Sequence, residues 1–308
     1  KIYDQKVFYF PKFFHPDPTV KRQTGFLIPK LQDNSSSGTS LNLPYFFAVA
    51  ENKDITISPR FFFNDKFLLQ SELRQKNKKS FHLADISQYI SSDNKSKGHF
   101  FYDFNKKYEN KKFDDIDLNI ELQQVTDETY LKAFKIESPI VKDKTNLKNF
   151  LSLDFYSDNL SINTSFDVYE DLSKADSDKF EYVPNFSFTN IINNNYSINS
   201  LGYYKNYKTN IRETVLINNF NFQSTPRYFN NGFVNEKKFL LKNVNSKGKN
   251  SKNFENNNSY TLMPTLQSTY TFPLEKDTDR FKNTLTPKFA LKLSPDYTKD
   301  IRNRDGGQ

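Results

Sequence analysis

Between Ile116 and Gln123 apolar and polar residues alternate without a break. Ile116, Leu118, Ile120 and Leu122 interleave with Asp117, Asn119, Glu121 and Gln123. Successive side chains of a strand point to opposite faces, so this spacing predicts a strand with one apolar and one polar face. Wound as a helix, the same apolar residues would scatter around the axis. The pattern recurs at Leu151, Leu153 and Phe155, at Leu160, Ile162, Phe166 and Val168, at Tyr260, Leu262, Leu266, Tyr270 and Phe272, and at Leu285, Phe289, Leu291 and Leu293. Turn-forming clusters separate the runs: Glu51-Asn52-Lys53-Asp54, Asn64-Asp65-Lys66, Ser157-Asp158-Asn159 and Asn193-Asn194-Asn195. Asn and Asp tolerate left-handed backbone and bond to their own chain, which suits hairpin turns. The expectation is an all-β chain of antiparallel strands joined in sequence, many of them about 9 to 13 residues long.

Two segments interrupt the alternation. Residues 126–146 carry Tyr130, Leu131, Phe134 and Pro139 out of phase with their neighbours. Residues 242–258 are almost wholly polar and are expected to form a solvated loop.

An alternating strand needs an apolar partner for its apolar face. Two sheets packed face to face satisfy it in water. A sheet curled into a barrel satisfies it in lipid, with the polar face lining a wet lumen. Alternation alone does not separate the two, and strand length leans one way. Strands of soluble proteins run to about 5 or 6 residues, whereas a tilted membrane-spanning strand needs about 9 to 11. The longer runs favour an up-and-down outer-membrane β-barrel. Aromatic clusters near strand ends, such as Tyr45-Phe46-Phe47, Phe61-Phe62-Phe63 and Phe100-Phe101-Tyr102, suit its interfacial girdles.

Composition adds exclusions. The chain has 308 residues with no Cys, which excludes a disulfide scaffold, a thiolate metal site and a cysteine nucleophile within it. The 32 Phe and 18 Tyr sit beside abundant Lys and Asn. A/T-rich codons account for those counts but not for the placement of the residues. The net charge of +8 is modest and interleaved, without the basic stripe that nucleic-acid binding requires. His15, His82 and His99 show no metal or triad spacing, eight Gly form no phosphate loop, and the pair Asp114-Asp115 reads as solvated charge at a strand start. No enzyme, metal or cofactor is expected. The chain begins on Lys1 and reads as a cut from a longer protein.

A more specific signal lies near the start. RQTGFLIPKL over residues 22–31, GTSLNLPYFFAVAENKDITISPRF over 38–61 and LLQSELR over 68–74 occur in that order. This set resembles the start of the barrel in the LPS-assembly protein LptD (OstA/Imp) family. Arg22, Gly25, Pro29, Pro44, Tyr45, Ala50, Asn52, Asp54, Pro59, Glu72 and Arg74 match the family pattern. Phe46 and Glu51 depart from it, and Asp127 with Tyr130-Leu131 resembles a further element. Beyond about residue 150 the match is one of pattern and spacing.

The resemblance implies that residues 1–21 end a periplasmic β-jellyroll and residues 22–308 form the first part of an incomplete transmembrane barrel. It implies an outer-membrane translocon of a Gram-negative bacterium. Such a translocon takes lipopolysaccharide from a periplasmic LptA-like bridge, holds an LptE-like plug lipoprotein, and releases its cargo laterally into outer-membrane lipid. Proline lacks the N–H that a ladder needs. Pro29 in the first strand and Pro44 in the second are therefore expected to weaken a lateral gate. The polar alternates Asp117, Asn119, Glu121, Gln123, Asn163 and Gln267 are expected to face the lumen. The competing class is a soluble sandwich or surface adhesin that binds glycans.

Overall fold

The computed structural model describes residues 22–295, apart from 35–36, 64–65, 91–95, 175, 209 and 279. Residues 1–21, with the expected jellyroll end and His15, lie outside the described residues.

Four short strands come first: β1 (Gly25–Phe26), β2 (Lys30–Gln32), β3 (Ser40–Asn42) and β4 (Tyr45–Ala50). Long strands follow: β5 (Lys53–Phe62), β6 (Lys66–Lys76), β7 (Ser80–Ile90), β8 (Ser96–Tyr108) and β9 (Asp115–Val125). The loop after β9 holds one four-residue helix, α1 (Tyr130–Ala133). The meander continues through β10 (Asn146–Ser157), β11 (Leu160–Asp171), β12 (Phe180–Ile191), β13 (Tyr196–Tyr207) and β14 (Ile211–Gln223). It closes with β15 (Arg227–Tyr228), β16 (Val234–Lys249), β17 (Ser259–Thr271), β18 (Leu274–Asp277), β19 (Lys282–Leu285) and β20 (Lys288–Leu293).

Eighteen strands form one antiparallel sheet, and β18 pairs with β19 apart from it. Each long strand pairs with the next in sequence, β14 passing over the short β15 to β16. This is the expected up-and-down order. Directly paired residues share a face, so the register sorts the whole sheet. Ile120, Leu151, Phe166 and Pro184 stand in one row, and Phe186, Gly202 and Leu216 continue that face. The face is uncovered: Leu151 is 49% exposed, Phe166 48% and Leu266 54%. A sandwich would lay a second sheet there, and none does so among the described residues. Gly202 accommodates the Phe186 ring, which would lie 2.4 Å from an added Cβ.

The opposite face is polar. Asp117, Asp154, Asn163 and Ser187 share one row, and Asn119, Ser152, Ser165 and Asn185 the next. Side-chain bonds run along them, from Asn119 to Ser152 at 3.1 Å and from Asn163 to Asp154 at 3.1 Å. Glu121 pairs with Asp103 and Gln123 with Phe101 on this face. The register carried through β13, β14 and β16 brings Gln267 to it as well.

Three expectations need correction. Residues 242–249 are not loop but the second half of β16, held by ladders to β14 and β17 on either side. The run from Leu285 to Leu293 is two strands in two sheets, divided before Lys288 by Pro287. Pro29 and Pro44 do not lie inside strands. They sit in the gaps between β1 and β2 and between β3 and β4.

Candidate functional site

At the first-strand edge the ladder is thin. β1 meets β4 at Gly25↔Phe46 and Phe26↔Tyr45, and β2 meets β3 at Lys30↔Asn42, Leu31↔Leu41 and Gln32↔Ser40. Leu27, Ile28 and Pro29 intervene on one side, and Leu43 and Pro44 on the other. An extra residue on one strand is a β-bulge, and here it contains a proline that donates nothing. One bond bridges the gap, from Leu27 N–H to the Pro44 carbonyl at 2.8 Å, while Leu43 N–H turns away to the Pro59 carbonyl on β5 at 3.0 Å. Phe26 meets the Tyr45 ring edge-on at 4.8 Å.

Behind this edge the polar face of β5 to β8 gathers charge. Asp54 is buried and receives Arg22 Nη1 at 2.6 Å and Arg74 Nε at 2.9 Å, while Arg74 also lies 3.1 Å from Glu72. Four of the motif residues thus form one cluster, although 52 positions separate Arg22 from Arg74. Burying a carboxylate requires paired cations and hydrogen bonds, which is what the two arginines supply. The other motif residues are structural neighbours. Asn52 turns the β4–β5 hairpin and donates to Asn77 Oδ1 at 2.9 Å. Pro59 stands opposite Leu69. Gly25 has open space where a Cβ would go, so crowding does not explain it.

The loop over residues 126–145 folds down onto the same polar face. Asp127 accepts from Lys97 at 2.8 Å and from the Thr129 hydroxyl at 2.6 Å, and Lys97 is the chief reason its carboxyl stays below the usual range. Tyr130 is fully buried with Leu131, Phe134 and Ile136 in the core cluster, against Phe62, Leu68, Tyr89 and Phe101 of the sheet. Burial pushes the Tyr130 phenol up to about 12. Its oxygen lies 2.6 Å from Ser87 Oγ, which lies 2.6 Å from His99 Nδ1; His99 Nε2 is 3.2 Å from Asp85 Oδ1. Ser87, His99 and Asp85 are brought together on β7 and β8, but the serine lies beneath the Tyr130 phenol. The group anchors the loop.

Beyond α1 the chain reverses in a Schellman turn, with Ile136 N–H on Leu131 O at 3.0 Å and Lys135 N–H on Lys132 O at 3.2 Å. Lys135 takes the left-handed position at φ 47°. The turn presents its carbonyls to the sheet: Arg60 Nη1 donates to Phe134 O at 2.6 Å, and Gln70 Nε2 to Glu137 O at 2.9 Å. A cleft of about 540 Å³ opens between this turn, the bulged first strands and β5–β6. Leu27, Ile28 and Ile136 give it an apolar wall, and Lys30, Arg60 and Lys135 with Glu72 and Glu137 a charged one. Glu137 pairs with Lys30 at 2.9 Å, and that ammonium holds its carboxyl below the usual range. Arg60, Asp85 and Glu137 were not singled out in the sequence. The even-numbered residues of β5 carry Asp54, Thr56, Ser58 and Arg60 on one face, so the pattern already placed Arg60 with Asp54.

The expected polar-face residues do not all meet. Gln123 reaches the loop's root, its side-chain oxygen accepting from Lys148 N–H at 2.9 Å. Asp117, Asn119, Asn163 and Gln267 lie along the open meander.

No family model matches the chain. Curated relatives do, each named LPS-assembly protein LptD. That of Pseudoalteromonas atlantica is 28% identical over 186 residues, covering 59% of this chain and 24% of the relative. That of Ectopseudomonas mendocina is 39% identical over 74 residues, 24% of this chain and 8% of the relative. That of Francisella tularensis subsp. holarctica is 23% identical over 320 residues, 99% of this chain and 35% of the relative. The matched segments span between a twelfth and about a third of the length of these relatives, and nearly the whole chain spans about a third of one. Among solved structures, a bacterial polysaccharide outer membrane secretin overlays 91% of the chain at a TM-score of 0.29 and 10% identity, below the level of a shared fold.

Proposed function

We propose that this segment of an LptD-family protein builds the opening side of an outer-membrane β-barrel that carries lipopolysaccharide to the outer leaflet of a Gram-negative cell. The uncovered apolar face meets lipid, and the polar face lines a wet interior. Residues 22–308 supply the first part of the barrel, and residues 1–21 end a periplasmic β-jellyroll that receives cargo from an LptA-like bridge. An LptE-like lipoprotein occupies the interior against the polar rows of Asp117, Asn119, Glu121, Gln123, Asn163 and Gln267. Sugars and phosphates travel along that face, while acyl chains leave between strands.

The observation that carries this reading is the broken ladder at the first-strand edge. A lateral opening needs strands that part at low cost. The bulge at Leu27–Pro29, set against Leu43 and Pro44, removes ladder bonds next to an amphipathic cleft. Pro29→Ala restores an N–H and should tighten the edge, slowing the appearance of pulse-labelled lipopolysaccharide at the cell surface. Delivery at the unaltered rate would remove Pro29 from the gate.

A further inference from the structure

We infer that the loop over residues 126–145 is a latch that holds the first strand pair in place and must release before that edge moves. The inference rests on reading this edge as the opening side of the barrel. What carries it is where the loop's bonds go. One set runs to the rigid sheet: Tyr130 to Ser87 on β7, and the phenyl ring of Phe134 to Tyr89 at 4.4 Å. A second set runs about a hundred residues back to the first hairpin. Asn34 Nδ2 donates to Ala133 O at 2.6 Å, Lys135 Nζ to Asp33 O at 3.1 Å, and Lys30 Nζ to Glu137 Oε2 at 2.9 Å. Arg60 joins the sets, donating to Ser40 Oγ on β3 at 3.1 Å and to Phe134 O on the loop at 2.6 Å.

The first strand therefore has two supports of similar size. Its own ladder has five paired positions, divided by a bulge. The latch adds three side-chain bonds, all made by one turn that is itself fixed by a buried core. The cleft lies between the two, walled by Leu27 and Ile28 on the strand side and by Ile136 to Pro139 on the latch side. An amphipathic occupant that widens this cleft pushes the turn away from the strand, breaks the latch and leaves the strand on its interrupted ladder alone. The latch thus couples filling of the cleft to freedom of the edge.

Hydrogen exchange on the full-length protein in lipid tests the hold. In Asn34→Ala/Glu137→Ala, amides of residues 25–32 should exchange at least about threefold faster, because two of the three latch bonds are gone. Lys205→Ala, which breaks the remote pair with Glu181, should leave them unchanged. Exchange of residues 25–32 within 1.5-fold of the unaltered protein, at about pH 7, overturns the latch without touching the proposed function. A second arm tests release. Asn34→Cys/Ala133→Cys, bridged by a cleavable bismaleimide, should stall lipopolysaccharide delivery until the bridge is cut, with each single-cysteine chain as control. Unimpeded delivery through the bridged protein shows that the edge works with the latch shut and overturns the proposal.

Discussion

Replacing Tyr130 tests whether the loop is docked by a core or merely rests on the sheet. Tyr130 is fully buried, 5.3 Å from the Phe134 ring and 5.9 Å from the His99 ring. Tyr130→Phe keeps the ring and loses one buried hydrogen bond. Ser87 retains His99, so the loss is about 1 kcal/mol, or about a fivefold rise in the open population. Tyr130→Ala also empties the centre of the cluster and costs about 3–5 kcal/mol, a rise of at least about a hundredfold. Trypsin reads this directly, because Lys132 and Lys135 lie in the docked turn. Cleavage there at neutral pH should rank unaltered, Phe and Ala in that order, with the Ala variant far ahead. Equal cleavage of Tyr130→Phe and Tyr130→Ala would refute a packed anchor. Alkaline pH adds an independent check. The phenol is neutral in docked and free loop alike below its ordinary value of 10.0. Above that the free loop ionises while the docked phenol keeps its proton to about 12. The docked state then binds more protons, so docking weakens as pH rises through this window. A fluorophore on Lys132→Cys should report undocking between pH about 10 and 12, and adding Tyr130→Phe should abolish that step.

Other substitutions address the faces and the charged cluster. Asp54→Asn removes a buried charge between two arginines that remain half-exposed and can rehydrate, so the expected loss is about 1–2 kcal/mol, read as a lower urea midpoint for the barrel in detergent; an unchanged midpoint would mean the cluster is not structural. Leu151→Lys on the apolar face should hinder folding into vesicles by about 2–4 kcal/mol, whereas Ser152→Lys on the polar face should fold normally. Equal tolerance of the two lysines would place the wrong face in lipid. Gly202→Ala drives a methyl into the Phe186 ring and should cost about 1–3 kcal/mol, relieved in Gly202→Ala/Phe186→Leu; a second substitution that brings no relief would point to backbone rather than to the ring.

Much of the sheet is legible in the chain because a strand's period ties each residue to a face. Ile116 to Gln123 and Leu151 to Phe155 announce both faces, and their register in the structure joins them as the spacing implies. The second half of β16 is hidden for the same reason. Asn243, Asn245 and Lys247 alternate with Lys242, Val244 and Ser246, so neither face is distinctly apolar and only the neighbouring ladders make it a strand. The site divides similarly. Asp54, Glu72 and Arg74 fall on one face of adjacent strands and are recoverable from alternation. The bonds from Lys30 and Asn34 to residues 133–137 are not, because they join segments about a hundred residues apart through a loop with no period. A backbone carbonyl, which any residue supplies, accepts the bond from Asn34.

The bulge makes the first strand a zipper in two lengths. Gly25 and Phe26 form one length, and Lys30 to Gln32 the other, with a proline between them that transmits no ladder bond. Separation at one end need not propagate to the other. The aperture is then graded: either length parts while its neighbour keeps the strand in register, and the edge finds its way home by closing onto the half that never left.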